Sequence, residues 1–263
     1  MAYAVNEGAK LYWREQGSGP PVLLIMGLSF THEMWFRLTP ALVDEYRTIS
    51  FDNRGMGRSD VPRGPYTMRR MASDARAVLD EAGVESAHVV GASMGGMIAQ
   101  ELALRHPRRV RSLMLGCTSS SGLFGKWPEF RYGPREWRGR SREERERSLR
   151  KLLYAEGTPA ARIEEDLRVR CGCTWCYKGF VNQFAGVLMW SAYRRLPRIQ
   201  VPTLVVHGDE DRLVPPENGR VVASRIPGAR FELIRGAGHV LITDQTEACA
   251  EAIRGFLRDQ SRQ

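Results

Sequence analysis

Apolar residues along this 263-residue chain gather in short continuous runs rather than in strict alternation. Such runs suit strands of a parallel sheet that is covered on both faces. The runs read as strands are Val22–Gly27, Thr48–Asn53, Ala87–Ser93, Val110–Thr118, Thr203–Asp209 and Arg230–Gly236. The opening MAYAVNEGAKLYWREQG reads as strand, turn, strand. Between the runs the period changes. Met68, Met71, Ala72, Ala75, Leu79 and Ala82 recur at helical spacing, and Gly83 ends that helix. Met94–His106 is helical and stops at Pro107, and TEACAEAIRGFLRD forms a last helix. Strands alternating with helices predict an α/β fold, a mostly parallel doubly wound sheet.

Residues 120–197 break this alternation. They hold no strand-like run, and SREERERSLRKLL and KGFVNQFAGVLMWSAYRRL are helix candidates. The segment is read as a helical insertion between two sheet strands, with residues 1–119 and 198–263 forming the core.

The length suits one α/β domain with an insertion. No apolar run reaches the roughly 18 residues that span a bilayer, so no membrane association is expected. The N-terminal stretch lacks a basic segment followed by an apolar one, which makes a cytoplasmic location the expectation. Charge is concentrated. The chain carries a net +9, and residues 119–200 alone hold 17 Lys and Arg against 9 Asp and Glu. That balance fits either a solvated arginine-rich surface or attraction of an anionic substrate or an acidic acyl carrier protein. Nucleic acid is not expected, because acids interleave with the bases and no nucleic-acid motif accompanies them.

The chemistry points to VVGASMGGMIAQ. It sets Gly91-Ala-Ser93-Met-Gly95 between a predicted strand and a predicted helix. A sharp turn there lifts the Ser93 hydroxyl above the sheet and places it at a helix N-terminus, where free N–H groups favour developing negative charge. The competing reading is an idle serine in a glycine-rich turn. A serine needs a base. The chain has five histidines, and only His32 and His239 follow strands closely enough to sit in the crevice at the strand C-termini. An acid must orient the base, and HGDEDRLVPP offers Asp209, Glu210 and Asp211 after the penultimate strand. GMGRSD and GASMGG lack the glycine spacing of a dinucleotide fingerprint and the Gly-Lys-Ser/Thr of a P-loop.

These stretches resemble the α/β-hydrolase superfamily over nearly the whole chain. FDNRGMGRSDVPRGPYTMRRMASDARAVLDEAGVESAHVVGASMGGMIAQELALRHPRRVRSLML is similar to the group of enol-lactone hydrolases, bacterial esterases and cofactor-free perhydrolases. The resemblance implies a Ser93, Asp211, His239 triad, because the family's H-G-x-x-D pattern falls on Asp211. It also implies an oxyanion hole from the backbone N–H groups of Leu28 and Met94, a helical cap at 120–197, and no cofactor. The family commonly has His-Gly after the first strand, whereas this chain has Met26-Gly27. Backbone donors survive that change. Epoxide hydrolases and haloalkane dehalogenases of the family use Asp as nucleophile, and Ser93 argues against both.

The expected activity is hydrolysis of a carboxylic ester or lactone on a hydrophobic small molecule. Thioester cleavage on a carrier-bound acyl chain, carbon–carbon bond hydrolysis and perhydrolysis use the same triad. A non-catalytic ligand-binding protein on this scaffold is the reading from another class. Substrate contacts are expected from Phe30, Trp35, Cys176, Phe180, Phe184, Trp190, Val214 and Val240.

Of five cysteines, three lie in CGCTWC, at Cys171, Cys173 and Cys176. Zinc needs four ligands and C-x-C-x-x-C gives three, so no metal is expected. If this stretch is helical, Cys173, Cys176, Phe180, Phe184 and Val187 share one face, with cysteine acting as a small hydrophobe over the cleft.

Overall fold

The computed structural model describes residues 2–123, 125–126, 141–171, 174 and 176–261. Its centre is an eight-stranded sheet in the order β1-β2-β4-β3-β5-β6-β7-β8. The strands are β1 (Ala2–Asn6), β2 (Ala9–Gln16), β3 (Pro21–Ile25), β4 (Arg47–Phe51), β5 (Ala87–Ala92), β6 (Val110–Gly116), β7 (Thr203–Gly208) and β8 (Arg230–Ile234). The pairs β1–β2 and β2–β4 are antiparallel, and every pair from β4 onward is parallel. Each expected strand is present, one or two residues shorter at its C-terminal end where the chain turns into a loop.

Strand side chains alternate in direction, so one apolar strand feeds two cores. Leu23 and Ile25 of β3 pack on one face with helices α1 (Met68–Glu81) and α2 (Met94–Arg105). Val22 and Leu24 pack on the other, with Trp35, Leu38, Leu42 and the last helix, α8 (Thr246–Ser261). Thr67 starts α1 by accepting the Arg70 N–H. At the other end of that helix Gly83 adopts φ +67°, a left-handed stop that glycine takes at no steric cost.

Between β6 and β7 lie α3 (Arg142–Leu153), α4 (Ala160–Cys171) and α5 (Tyr177–Leu188). A capping box between Ser141 and Glu144 starts α3. The helix expected to run through 196 ends at Leu188, because the chain turns to make a bridge from Ser191 to Ser121. The CGCTWC stretch is not one helix. α4 ends at Cys171, and Cys176 is extended (φ −123°, ψ 116°) as the N-cap of α5. The expected helical face through Cys173 and Cys176 therefore does not continue, and Cys173 itself lies outside the described residues. Two helices follow β7 and β8: α6 (Pro216–Arg225) and the single turn α7 (Leu241–Asp244). No helix among the described residues is long and apolar enough to cross a membrane.

Candidate active site

β5 ends in the sharp turn that the glycine pattern predicts. Ser93 has φ 56° and ψ −121°, a strained conformation for a residue with a side chain. The turn is held by its neighbours. Ser93 N–H donates to Gly116 O at 2.8 Å, and Thr118 Oγ1 donates to Ser93 O at 2.7 Å. A Cβ on Gly95 would sit 2.0 Å from Ile25 O, so only glycine lets α2 start this close to β3. Ser93 is the N-cap of α2, yet its side chain makes no capping bond. The hydroxyl is free to face elsewhere.

It faces His239. Ser93 Oγ lies 3.0 Å from His239 Nε2, and His239 Nδ1 lies 2.9 Å from Asp211 Oδ2. The carboxylate makes Nδ1 the protonated nitrogen, which leaves the Nε2 lone pair for the serine proton. Asp211 is itself pinned. Its Oδ1 accepts N–H bonds from Leu213 at 3.0 Å and Val214 at 2.8 Å. His207 Nε2 donates to Val214 O at 2.7 Å and stands 3.4 Å from Asp211 Oδ2. Burial by itself would raise the Asp211 pKa. Electrostatic attraction to His239 and hydrogen bonds from His207 and the His239 Nδ1–H overcome it and hold the carboxyl well below its usual range.

The alternative partners are committed elsewhere. His32 Nδ1 is 2.7 Å from Asp52 Oδ1 in a buried pair of its own. Asp209 Oδ1 accepts the Gly236 N–H at 2.7 Å on the exposed side of its loop, and Glu210 accepts the Glu156 N–H at 2.9 Å.

Two backbone N–H groups near Ser93 have no acceptor among the described residues: Leu28, after β3, and Met94, first in α2. Gly27 lies against Ser93, since a Cβ built there would be 3.0 Å from the serine Cβ. Met26, where the resemblance led to an expectation of His, is buried in the core, and its carbonyl accepts Asn53 Nδ2 at 2.8 Å.

The expected substrate contacts divide. Phe30 is half-buried with the Arg170 guanidinium 5.0 Å above its ring. Phe180 and Phe184 stack with centroids 6.0 Å apart; Phe180 is half-buried and Phe184 exposed. Cys176 is half-buried. Val240 N–H bonds Leu153 O at 2.9 Å, and Val214 is buried with its backbone tied to Asp211 and His207. Two aromatic candidates lie in the core instead. Trp35 is 1% exposed among Met26, Leu38 and Leu42. Trp190 is buried in the other cluster, its indole donating to Glu101 Oε2 at 2.9 Å.

Sequence reasoning missed a group of supporting polar residues. Asp244, in α7, accepts N–H bonds from Gly238 at 2.7 Å and Ala155 at 3.3 Å, and the Thr158 hydroxyl at 2.6 Å. It clamps the residue before His239 to the turn after α3. Asp166 of α4 accepts from Thr243, Tyr154 and Arg37 and joins α4 to the same loop. These carboxylates follow no spacing rule in the sequence. Asp244 sits in the mostly buried stretch LITD, but Asp166 is the one buried position among the described residues of a charged helix, and nothing around it in the sequence marks it.

Among the described residues one cluster has metal-ligand chemistry: buried Cys117, His207 and Asp211, with ligand atoms within 4.8 Å of one another. Its donors are already engaged. His207 Nε2 serves Val214, and Asp211 serves His239 and two backbone N–H groups. Burial and the neighbouring Asp211 charge push the Cys117 thiol well up, away from the thiolate that a metal requires. The cluster fits support of the acid rather than a metal.

Residues 20–245 match the family model described as alpha/beta hydrolase fold. The chain belongs to this family. It is 33% identical over 261 residues to a protein of Azorhizobium caulinodans provisionally named the carbamate hydrolase RutD, covering 97% of this chain and 98% of that one. It is 33% identical to the poly(3-hydroxyalkanoate) depolymerase of Ectopseudomonas oleovorans over 91% of this chain and 85% of the depolymerase. Among solved structures, a thermophilic esterase from Thermogutta terrifontis superposes with a TM-score of 0.84 at 29% identity, covering 98% of each chain. The protein is an enzyme of the α/β-hydrolase kind.

Proposed function

We propose that this enzyme hydrolyses a carboxylic ester or lactone of a hydrophobic small molecule through a Ser93–His239–Asp211 triad. The observation that carries the reading is the alignment of Ser93 Oγ, His239 and Asp211 at 3.0 and 2.9 Å. His239 Nε2 takes the Ser93 proton as Oγ attacks the carbonyl carbon. The Leu28 and Met94 N–H groups receive the oxyanion, and donors of this kind are worth about 10²–10³-fold in turnover. His239⁺ then gives its proton to the leaving oxygen as the carbon–oxygen bond breaks, leaving the acyl-enzyme. Water, deprotonated by His239, attacks the acyl carbon and releases the acid and free Ser93. Asp211 holds the imidazole in the right tautomer throughout. On this reading residues 120–197 form a cap over a core of 1–119 and 198–263, with Phe30, Phe180 and Cys176 as candidate substrate contacts. Free thiols at Cys117, Cys176 and Cys249 suit a reducing compartment, and we assign the protein to the cytoplasm on that ground.

The test is a panel of nitrophenyl esters, lactones, acyl thioesters and peracid formation with wild type and Ser93→Ala. Ester or lactone turnover that disappears in Ser93→Ala supports the reading. Turnover kept in that variant defeats it. The panel also separates perhydrolysis and thioester cleavage, and a carbon–carbon substrate can be added to it.

One surface favours a carrier-bound thioester as the second reading. A groove of about 920 Å³ is lined by Arg69, Arg70, Arg76, Arg105, Arg195 and Arg198, with Glu7 as its one carboxylate. Arg70 is paired with Glu7, Arg76 with Asp80, and Arg105 and Arg195 with Glu101, so the attraction of an acidic carrier protein to this groove would rest mainly on Arg69 and Arg198. Activity on a carrier-bound acyl chain that falls steeply with salt, while activity on a neutral ester does not, would favour it.

A further inference from the structure

The loop that presents Leu28 is held by a residue of the proposed cap. Gln183 lies in the middle of α5 and is fully buried. Its Oε1 accepts the Ser29 N–H at 3.1 Å, and its Nε2 donates to Arg54 O at 2.9 Å. A buried amide is tolerated when both its ends are satisfied, and these are. Ser29 itself has φ 64°, a conformation that a residue with a side chain keeps only where its surroundings impose it.

Both anchors are rigid. Gly179, Gln183 and Gly186 fall four and three residues apart on one face of α5. A Cβ on Gly179 would sit 1.9 Å from Gly55 O, and one on Gly186 would sit 1.9 Å from Tyr66 O. The helix therefore lies backbone to backbone on the loop after β4, and Gln183 cannot shift away from it. The Arg54 side chain is fixed in turn by a buried two-pronged pair with Asp74, both contacts 2.5 Å.

We propose that Gln183 is a positioning residue for the oxyanion hole: its amide sets the Leu28–Ser29 segment and so aims the Leu28 N–H at the developing oxyanion. The inference rests on the serine-hydrolase reading above. It gives the cap a part in transition-state stabilisation as well as in substrate selection. A role in packing alone would leave transition-state binding untouched once the chain is folded.

The test compares Gln183→Met, similar in size but without the amide, with Gln183→Glu, which keeps an oxygen for Ser29. The readouts are kcat and KM on nitrophenyl butyrate, the melting temperature, and the Ki of an alkyl trifluoromethyl ketone. The ketone's carbonyl carbon bonds Ser93 Oγ and its oxygen becomes the oxyanion. For Gln183→Met we expect kcat lower by about 10- to 100-fold, below the effect of deleting a donor outright. KM should stay within about threefold and Ki should rise by the same factor as kcat falls. Gln183→Glu should recover both only as the protonated acid, whose hydroxyl can donate to Arg54 O as the amide does now. A folded Gln183→Met with kcat and Ki within twofold of wild type overturns the proposal, as does a fall in kcat with no change in Ki. If the methionine variant does not fold, Gln183→Asn, one methylene short of Ser29, takes its place with the same expectations. A wild-type protein that forms no ketone adduct defeats the Ser93 reading itself, which separates that failure from a failure of Gln183.

Discussion

Replacing Asp211 with Asn probes the proposed triad more sharply than replacing Ser93. The side chain keeps its size and one oxygen. That oxygen is held by the Leu213 and Val214 N–H groups at 3.0 and 2.8 Å, so the new NH₂ must face His239 Nδ1, where the carboxylate now lies at 2.9 Å. Two donors cannot face each other. His239 is forced into the tautomer with its proton on Nε2, and that nitrogen can no longer accept from Ser93 Oγ, 3.0 Å away. A tautomer trap of this kind in a serine protease triad costs about 10⁴-fold in kcat, or about 5.5 kcal/mol of barrier. Asp209→Asn is the matched control. Among the described residues Asp209 receives only the Gly236 N–H, on an exposed loop, so a change within about threefold is expected. Both variants are assayed on nitrophenyl butyrate at pH 8, with circular dichroism to check folding. A folded Asp211→Asn within tenfold of wild type, or Asp209→Asn as the more damaged of the two, refutes the tautomer trap.

Three further predictions concern stability. His88 is buried beside Ser112, and burial, reinforced by Arg111, lowers its pKa from 6.5 to about 4. The unfolded chain takes up this proton first, so stability present above pH 6.5 is lost as pH falls toward 4, by about 3 kcal/mol at most. Urea midpoints at pH 7, 6 and 5 should show that slope in wild type and a shallower one in His88→Asn; equal slopes count against it. Gly186→Ala and Gly255→Ala gain the same helix propensity, about 1 kcal/mol. The first drives a Cβ to 1.9 Å from Tyr66 O while the second meets open space. Gly186→Ala should therefore lower the melting temperature and Gly255→Ala raise it by about 2–4 °C, and shifts of the same sign would contradict the packing described. Glu101 is buried and binds Arg105, Arg195 and Trp190. Glu101→Leu should cost about 1–3 kcal/mol in urea unfolding, chiefly for the buried Trp190 indole N–H left without its acceptor, and leave KM unchanged; no loss of stability would show these contacts to be idle.

The sheet is legible because most of its parallel strands are short apolar runs bounded by turn signals, as in Val22–Gly27 and Thr203–Asp209, while β8 alternates charged and apolar residues. The elbow is legible because Gly91, Ser93 and Gly95 fall between a strand and a helix, and the backbone there leaves no room for other residues at Gly95. Aromatic rings are not sortable from sequence. Trp35 and Trp190 have the same composition signal as Phe30, and only packing shows that the two tryptophans face the core. The break at Cys176 is hidden because CGCTWC carries no proline to announce it. α4 and α6 give no clear helical signal: α4 is dense in charge, and α6 carries Gly219, which lies against buried His207. Gln183 leaves a trace that can be read. It is an uncharged polar residue midway between two glycines at helical spacing, a face too small to pack unless another backbone lies against it.

The central claim is that Ser93 is a nucleophile activated by His239. A fluorophosphonate probe followed by peptide mass spectrometry tests it most directly. One adduct per chain is expected, on the peptide holding Ser93, formed rapidly in wild type and at least about 10²-fold more slowly in His239→Ala. Labelling elsewhere in the chain, or labelling of Ser93 at the same rate with and without His239, would contradict it.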